Sequence, residues 1–269
     1  MAIQTILFPT DFSDRSKKAL QQAICFVKGS SMKLIIYHVY HRPSVDDDKT
    51  ASLEEKEKSV ENAFNNLKRV YPELADVNHT FRKELGISTD NIIAMAGKAN
   101  ADMIIMATKG AKGFGELWGS KTEKIVENVK IPVLVIPDNT SLEDIDRIGL
   151  AYDYRITIST DILANIVATA ERLKANVDII SINLDERSLS EEKANVRLDL
   201  KKQLESIPHT FSYTHHTNIE EGIMQYCHNN GIDMICILPK SYNFIEELFH
   251  ESLTKKMIFH SDIPLLVIK

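Results

Sequence analysis

Four of the ten glycines in this 269-residue chain fall within ten residues, at Gly110, Gly113, Gly115 and Gly119. Glycine reaches positive φ and lets successive backbone N–H groups approach an anion closely. Ser120 follows, where a helical pattern begins. A helix start adds unpaired N–H groups and a partial positive charge. Lys109, Lys112 and Lys121 bring cations to the same stretch. Asp11 lies just past an apolar run at 5–9, where a carboxylate could accept from a ribose hydroxyl or an adenine amino group. A glycine loop after a strand can also be a plain turn, with Ser120 a simple helix cap. Spacing alone leaves both readings open. The loop lacks the GxxxxGK(S/T) pattern, and no GxGxxG follows the first apolar run.

The elements that would position these residues occur twice. Residues 101–137 and 232–269 align, with Asp102 over Asp233, Lys109 over Lys240, Ser120 over Ser252 and Pro132 over Pro264. The starts at 6–20 and 148–162 align with Asp11 over Asp153. A repeat of about half the chain means two copies of one domain, placed at 1–139 and 145–269. The polar segment 138–146 is the boundary. In the first copy, apolar runs at 5–9, 33–40, 78–85, 102–107 and 132–137 alternate with helical patterns near 13–29, 50–70, 87–98 and 119–129. The second copy has runs near 146–151, 177–184, 209–215, 233–238 and 264–268. Near-continuous apolar runs fit strands covered on both faces, and the alternation implies parallel βαβ units. The third run of each copy is more polar and reads as an edge strand. Ser13 is placed to cap the first helix and Gly29 to end it. Residues 42–50, with Pro43 and three Asp, read as a solvated loop.

Composition narrows the classes of function. Apolar residues make up 43% and charged residues 26%, ordinary for a globular protein. The net charge of −6 with no basic run argues against nucleic acid as a partner. No apolar stretch reaches the 18 residues or so that a membrane helix needs, and the start reads as a strand rather than a signal peptide. Cys25, Cys227 and Cys236 are scattered with no CxxC, which suits reduced thiols in a cytoplasm.

At these residues the chain resembles the universal stress protein family in its tandem form. The resemblance spans nearly the whole chain. It rests on PTDFS near the start, His38-Val39 ending the second run, the glycine loop, Gly119-Ser120, and the closing IPVLVI. It implies an α/β fold of two open parallel sheets, five strands each in the order 3-2-1-4-5, with helices on both faces. It further implies an intramolecular pseudo-dimer contacting through runs 132–137 and 264–268, and leaves a further homodimer open. Nucleotide-binding members carry a loop of the form G-x2-G-x9-G-S/T, with adenine against the residues matching Asp11 and Val39. The implied cofactor is ATP in the first copy, held by Pro9, Thr10, Asp11, Val39, Ala107, Gly110, Gly113, Gly119, Ser120 and Lys121. Two departures stand out. Ala107 occupies the first glycine position, and eight residues rather than nine separate Gly110 from Gly119. Gly113 and Gly115 could absorb the shift.

In the second copy Leu238, Ser241 and Glu251 replace the three glycines, and Tyr152 replaces Thr10. A carboxylate at that helix start would repel a polyphosphate, so no triphosphate is expected there. His209, His215 and His216 cluster around one strand, but 215 and 216 point to opposite faces, and a structural role is the simpler reading. Trp118 reads as packing under the helix, and His250 and His260 flank the last helix. No catalytic Ser-His-Asp set is present. The reading is a non-catalytic cytoplasmic protein that binds or senses an adenine nucleotide and signals to an unknown protein partner. The alternatives are a nucleotide-free scaffold and a slow ATPase using Asp11 or Glu116.

Overall fold

The computed structural model describes residues 3–42, 52–108, 119–138, 140–154, 157–238 and 262–269. Strands β1 (Thr5–Pro9), β2 (Lys33–Tyr40), β3 (Asn78–Leu85), β4 (Met103–Ala107) and β5 (Val133–Ile136) make the first half of one sheet. Strands β6 (Arg147–Ala151), β7 (Asn176–Ile182), β8 (His209–Thr214), β9 (Met234–Ile237) and β10 (Leu265–Val267) make the second. The order is β3-β2-β1-β4-β5-β10-β9-β6-β7-β8, so each half runs 3-2-1-4-5. All neighbours are parallel except β5 and β10, which pair antiparallel through Val135–Leu265, Leu134–Leu266 and Val133–Val267. That pairing covers the two edges that five-strand sheets would leave open. The expected edge strands, β3 and β8, close the two ends.

The helices are α1 (Asp14–Val27), α2 (Leu53–Val70), α3 (Ser88–Lys98), α4 (Gly119–Asn128), α5 (Thr160–Leu173), α6 (Glu191–Gln203) and α7 (Ile219–Asn230). Their starts have local causes. The side chains of Ser13, Ser52, Ser159, Ser190 and Asn218 each accept from an N–H in the first turn, the bond that spares an otherwise unpaired donor. Gly29 follows α1 at φ 72°, where a side chain would be strained. The expected loop at 42–50 lies almost wholly outside the described residues.

Two apolar layers sandwich the sheet. One holds Leu20, Ile24 and Phe26 of α1 with Phe64 of α2, and continues into Leu163 and Ile166 of α5. The other holds Ile92 of α3 and Ile125 of α4 and continues into Ile223 and Cys227 of α7. Both layers cross from one half to the other, so the two copies share their cores. The connecting segment takes part in this. Its polar sequence hides Leu142 and Ile145, both buried in the first layer, and the Leu142 N–H donates to Gln22 Oε1 at 2.7 Å.

Side chains add further ties. Arg172 of α5 reaches the end of α1, where Nε donates to Phe26 O at 2.5 Å and Nη2 to Lys28 O at 2.7 Å and Cys25 O at 3.3 Å. A cation at a helix C-terminus suits both the unpaired carbonyls and the dipole. Lys269 Nζ donates to Glu127 O of α4 at 2.7 Å. The repeated aspartates are structural: Asp102 Oδ2 accepts from the N–H groups of Gln4 and Thr5, and Asp233 Oδ2 from those of Asp146 and Arg147. Each ties the starts of two neighbouring parallel strands together, β4 to β1 and β9 to β6.

Candidate functional site

The turn after β1 is built by its own side chains. Thr10 Oγ1 accepts from the Phe12 N–H at 3.0 Å and from Ser16 Oγ at 2.8 Å. Asp11 Oδ1 accepts from the Ser13 N–H at 3.0 Å. These bonds hold Phe12 at φ 60°, a left-handed conformation that a bulky residue rarely adopts. The Thr10 N–H donates to Tyr37 O at 2.8 Å, and His38 Nδ1 donates to Thr10 O at 2.7 Å. A carbonyl only accepts, so the imidazole carries its proton on Nδ1. The Phe12 ring packs on His38 with centroids 4.5 Å apart and edge-on to Phe64 at 5.2 Å. Burial pushes the His38 pKa down, against the pull of the Thr10 carbonyl and Asp11.

This turn forms one wall of a cleft of about 120 Å³ beyond the C-terminal ends of β1, β2 and β4, where strand order reverses and open α/β sheets place their ligands. Of the expected site residues, Pro9, Thr10, Asp11, Val39, Ala107 and Lys121 line it together. Asp11 is exposed, and its carboxylate is turned to the N-terminus of α1. Gly119 and Ser120 open α4 as expected. Gly110 and Gly113 lie outside the described residues, as do Trp118 and residues 239–261, with Ser241, His250, Glu251 and His260 among them. The volume is below the roughly 300–1,000 Å³ of drug-sized ligand pockets.

The pattern of residues did not disclose every lining group. Arg15, Ser88 and Thr89 also line the cleft. Tyr37 forms part of the floor and donates from its hydroxyl to Glu84 Oε2 at 2.5 Å, with Lys98 Nζ 3.2 Å from Glu84 Oε1. The Tyr37 hydroxyl, Asn91 and Lys98 bring the Glu84 carboxyl down to about 2, while burial and that carboxylate push the Tyr37 phenol up. The register Val39–Glu84 brings these groups together, and no local motif announces it.

The second copy repeats the turn with different contents. The Tyr152 N–H donates to Ile180 O at 3.0 Å, as Thr10 does to Tyr37. Tyr154 sits at φ 58° in the place of Phe12. Its ring is fully buried, 5.1 Å from Tyr152 and within 6.5 Å of Phe211 and Tyr213. Tyr152 thus brings an aromatic ring where Thr10 brings a hydroxyl. His209 bonds Ile207 O and meets Phe211 edge-on, as His79 bonds Val77 O and meets Phe81. Among the described residues no group of three or more His, Cys, Asp or Glu could hold a metal ion. Among them, too, no helix is long and apolar enough to cross a membrane.

An open α/β sheet repeated in tandem, with a cleft at its switch point, defines the class of protein. The chain belongs to the universal stress protein family, which it matches over residues 2–137 and again over 147–269. Universal stress protein MJ0577 of Methanocaldococcus jannaschii is 29% identical over 155 residues, 51% of this chain and 96% of that one. Universal stress protein MJ0531 of the same organism is 34% identical over 138 residues, 49% of this chain and 80% of that one. Both are similar to about half of this chain. Among solved structures, a universal stress protein from Archaeoglobus fulgidus superposes with a TM-score of 0.75 at 19% identity, covering 100% of this chain and 97% of that one. That likeness shows the tandem fold.

Proposed function

We propose that the first copy, residues 1–139, binds an adenine nucleotide without turning it over, and that the second, 145–269, does not. The observation that carries the reading is the cleft at the switch point. It offers apolar walls for a base in Pro9, Val39 and Ile92, a carboxylate in Asp11, and cations in Arg15 and Lys121. Phosphates would lie at the start of α4, at Gly119 and Ser120, with Gly110 and Gly113 preceding them in sequence and Ala107 at the strand end. ATP is the ligand, as expected from the family resemblance. The second copy puts Tyr152 and Glu251 where Thr10 and Gly119 stand in the first.

Asp11 Oδ1 is engaged with the Ser13 N–H, which favours a binding role over positioning a water. The three free cysteines suit a cytoplasmic setting, with a protein partner that responds to occupancy. A nucleotide-free interaction protein is the alternative, favoured by the small volume of the cleft. Mass spectrometry of the freshly purified, undialysed protein after mild denaturation separates the two. An adenine nucleotide at up to one per chain is the expected result. Absence of co-purified nucleotide together with absence of heat on ATP titration would overturn the reading.

A further inference from the structure

We infer that Arg15 is an anion-holding residue of the first cleft and that Asp138 competes with the ligand for it. The nature of the anion, a polyphosphate, rests on the nucleotide reading above. Arg15 is the second residue of α1 and lines the cleft. Its Nε lies 3.1 Å from both Asp138 carboxylate oxygens. The bridge is only partly sheltered, with the two side chains 24% and 38% exposed, so it can be exchanged.

Placement supplies the argument. Among the described residues, Arg15 and Lys121 are the permanent cations of the cleft lining and Asp11 its carboxylate. Arg15 stands on α1 and Lys121 on α4, helices that pack on opposite faces of the sheet. An anion at the strand ends is therefore approached from both sides. A guanidinium fork matches carboxylate and phosphate alike, and the Nε–H that Asp138 holds cannot serve both at once. Asp138 stands just past β5, at the start of the segment joining the copies. Four residues on, the Leu142 N–H is held by Gln22 of the same helix. A ligand that takes Arg15 thus releases the first turn of α1 from the connecting segment.

The test measures binding of ATP, adenosine and inorganic tripolyphosphate to the full chain by calorimetry, for the wild type, Arg15→Gln and Asp138→Asn. Arg15→Gln should weaken ATP and tripolyphosphate about tenfold, the scale of one hydrogen bond to a charged group, and leave adenosine unchanged. Asp138→Asn should tighten both anions about two- to fivefold, the scale of an exposed ion pair removed from competition. Both variants break the same bridge, so a merely structural role would move them in one direction. Equal weakening by both, or anion binding unaffected by Arg15→Gln, would overturn the inference, as would a wild type that binds neither anion. Adenosine keeps the two proposals apart. Arg15-dependent tripolyphosphate binding without adenosine binding would sink the nucleotide reading alone.

Discussion

His38 and Ser181 occupy one position in the two copies and hold the same carbonyl. Pro9 pairs with Tyr37 and Ala151 with Ile180, which sets the two residues in register. His38 Nδ1 donates to Thr10 O at 2.7 Å, and Ser181 Oγ donates to Tyr152 O at 2.8 Å. The turn is thus kept in both copies, while its ring contacts diverge. His38 stacks on Phe12, and the smaller Ser181 stands where Tyr154 packs among tyrosines.

This difference gives a pH dependence. Burial holds the folded His38 pKa below its ordinary 6.5. Its stabilising contribution is therefore complete above about pH 6.5 and is lost as pH falls towards the folded value, because the unfolded chain takes up the proton first. His38→Ser should keep the carbonyl bond and flatten that part of the profile. Melting temperatures of both proteins between pH 5 and 8 check it, and identical slopes would contradict it.

Asp178 is a buried carboxylate that copy one lacks, since Ile35 holds its position. Thr210 Oγ1 and Ser212 Oγ donate to its Oδ1 at 2.5 and 2.8 Å, and Tyr226 OH and Arg147 Nη2 to its Oδ2 at 2.8 Å each. Asp178→Ala leaves four donors without their acceptor and should cost about 3–5 kcal/mol. Arg147→Ala should cost less, because that side chain is 38% exposed. Urea unfolding of the two variants ranks them.

Asp102 and Asp233 should behave alike. In each, one oxygen accepts two backbone N–H groups. Replacement by Ala should destabilise by about 1–3 kcal/mol, and replacement by Asn distinctly less, since an amide oxygen can accept the same pair. Denaturant midpoints decide. Equal losses for Ala and Asn would show that charge rather than acceptance matters.

Arg172 should prove the side chain that joins α5 to α1. Arg172→Ala removes donors from three carbonyls and should cost about 1–3 kcal/mol. Arg172→Lys should recover part, because an ammonium lacks the planar fork. Hydrogen exchange should quicken at the end of α1 in both variants.

For the ligand, Asp11→Ala should weaken ATP and Asp153→Ala should not. Gly119→Glu, which copies the Glu251 state, should lower affinity about tenfold or more through like-charge repulsion. Gly119→Ala controls for a backbone effect, and equal losses for Ala and Glu would remove the electrostatic account. Calorimetric titration reads all four.

Local order was legible in the sequence. The run at 33–40 is β2, that at 78–85 is β3, and Ser13 caps α1, because periodicity and capping act over a few neighbouring residues. The family resemblance named ten candidate residues, and six of them line one cleft, since strand ends at a switch point converge by topology. Contacts made across more than a hundred residues carried no such signal. Arg15 on Asp138 was decided by the fold of the first copy, and Arg172 on the end of α1 and the buried Leu142 in a polar segment when β5 met β10. Antiparallel pairing of those two short strands merged two sheets into one and made neighbours of side chains whose own surroundings in sequence are ordinary. Sequence fixes what each segment prefers to become; which charges and carbonyls meet depends on where the sheet brings the segments.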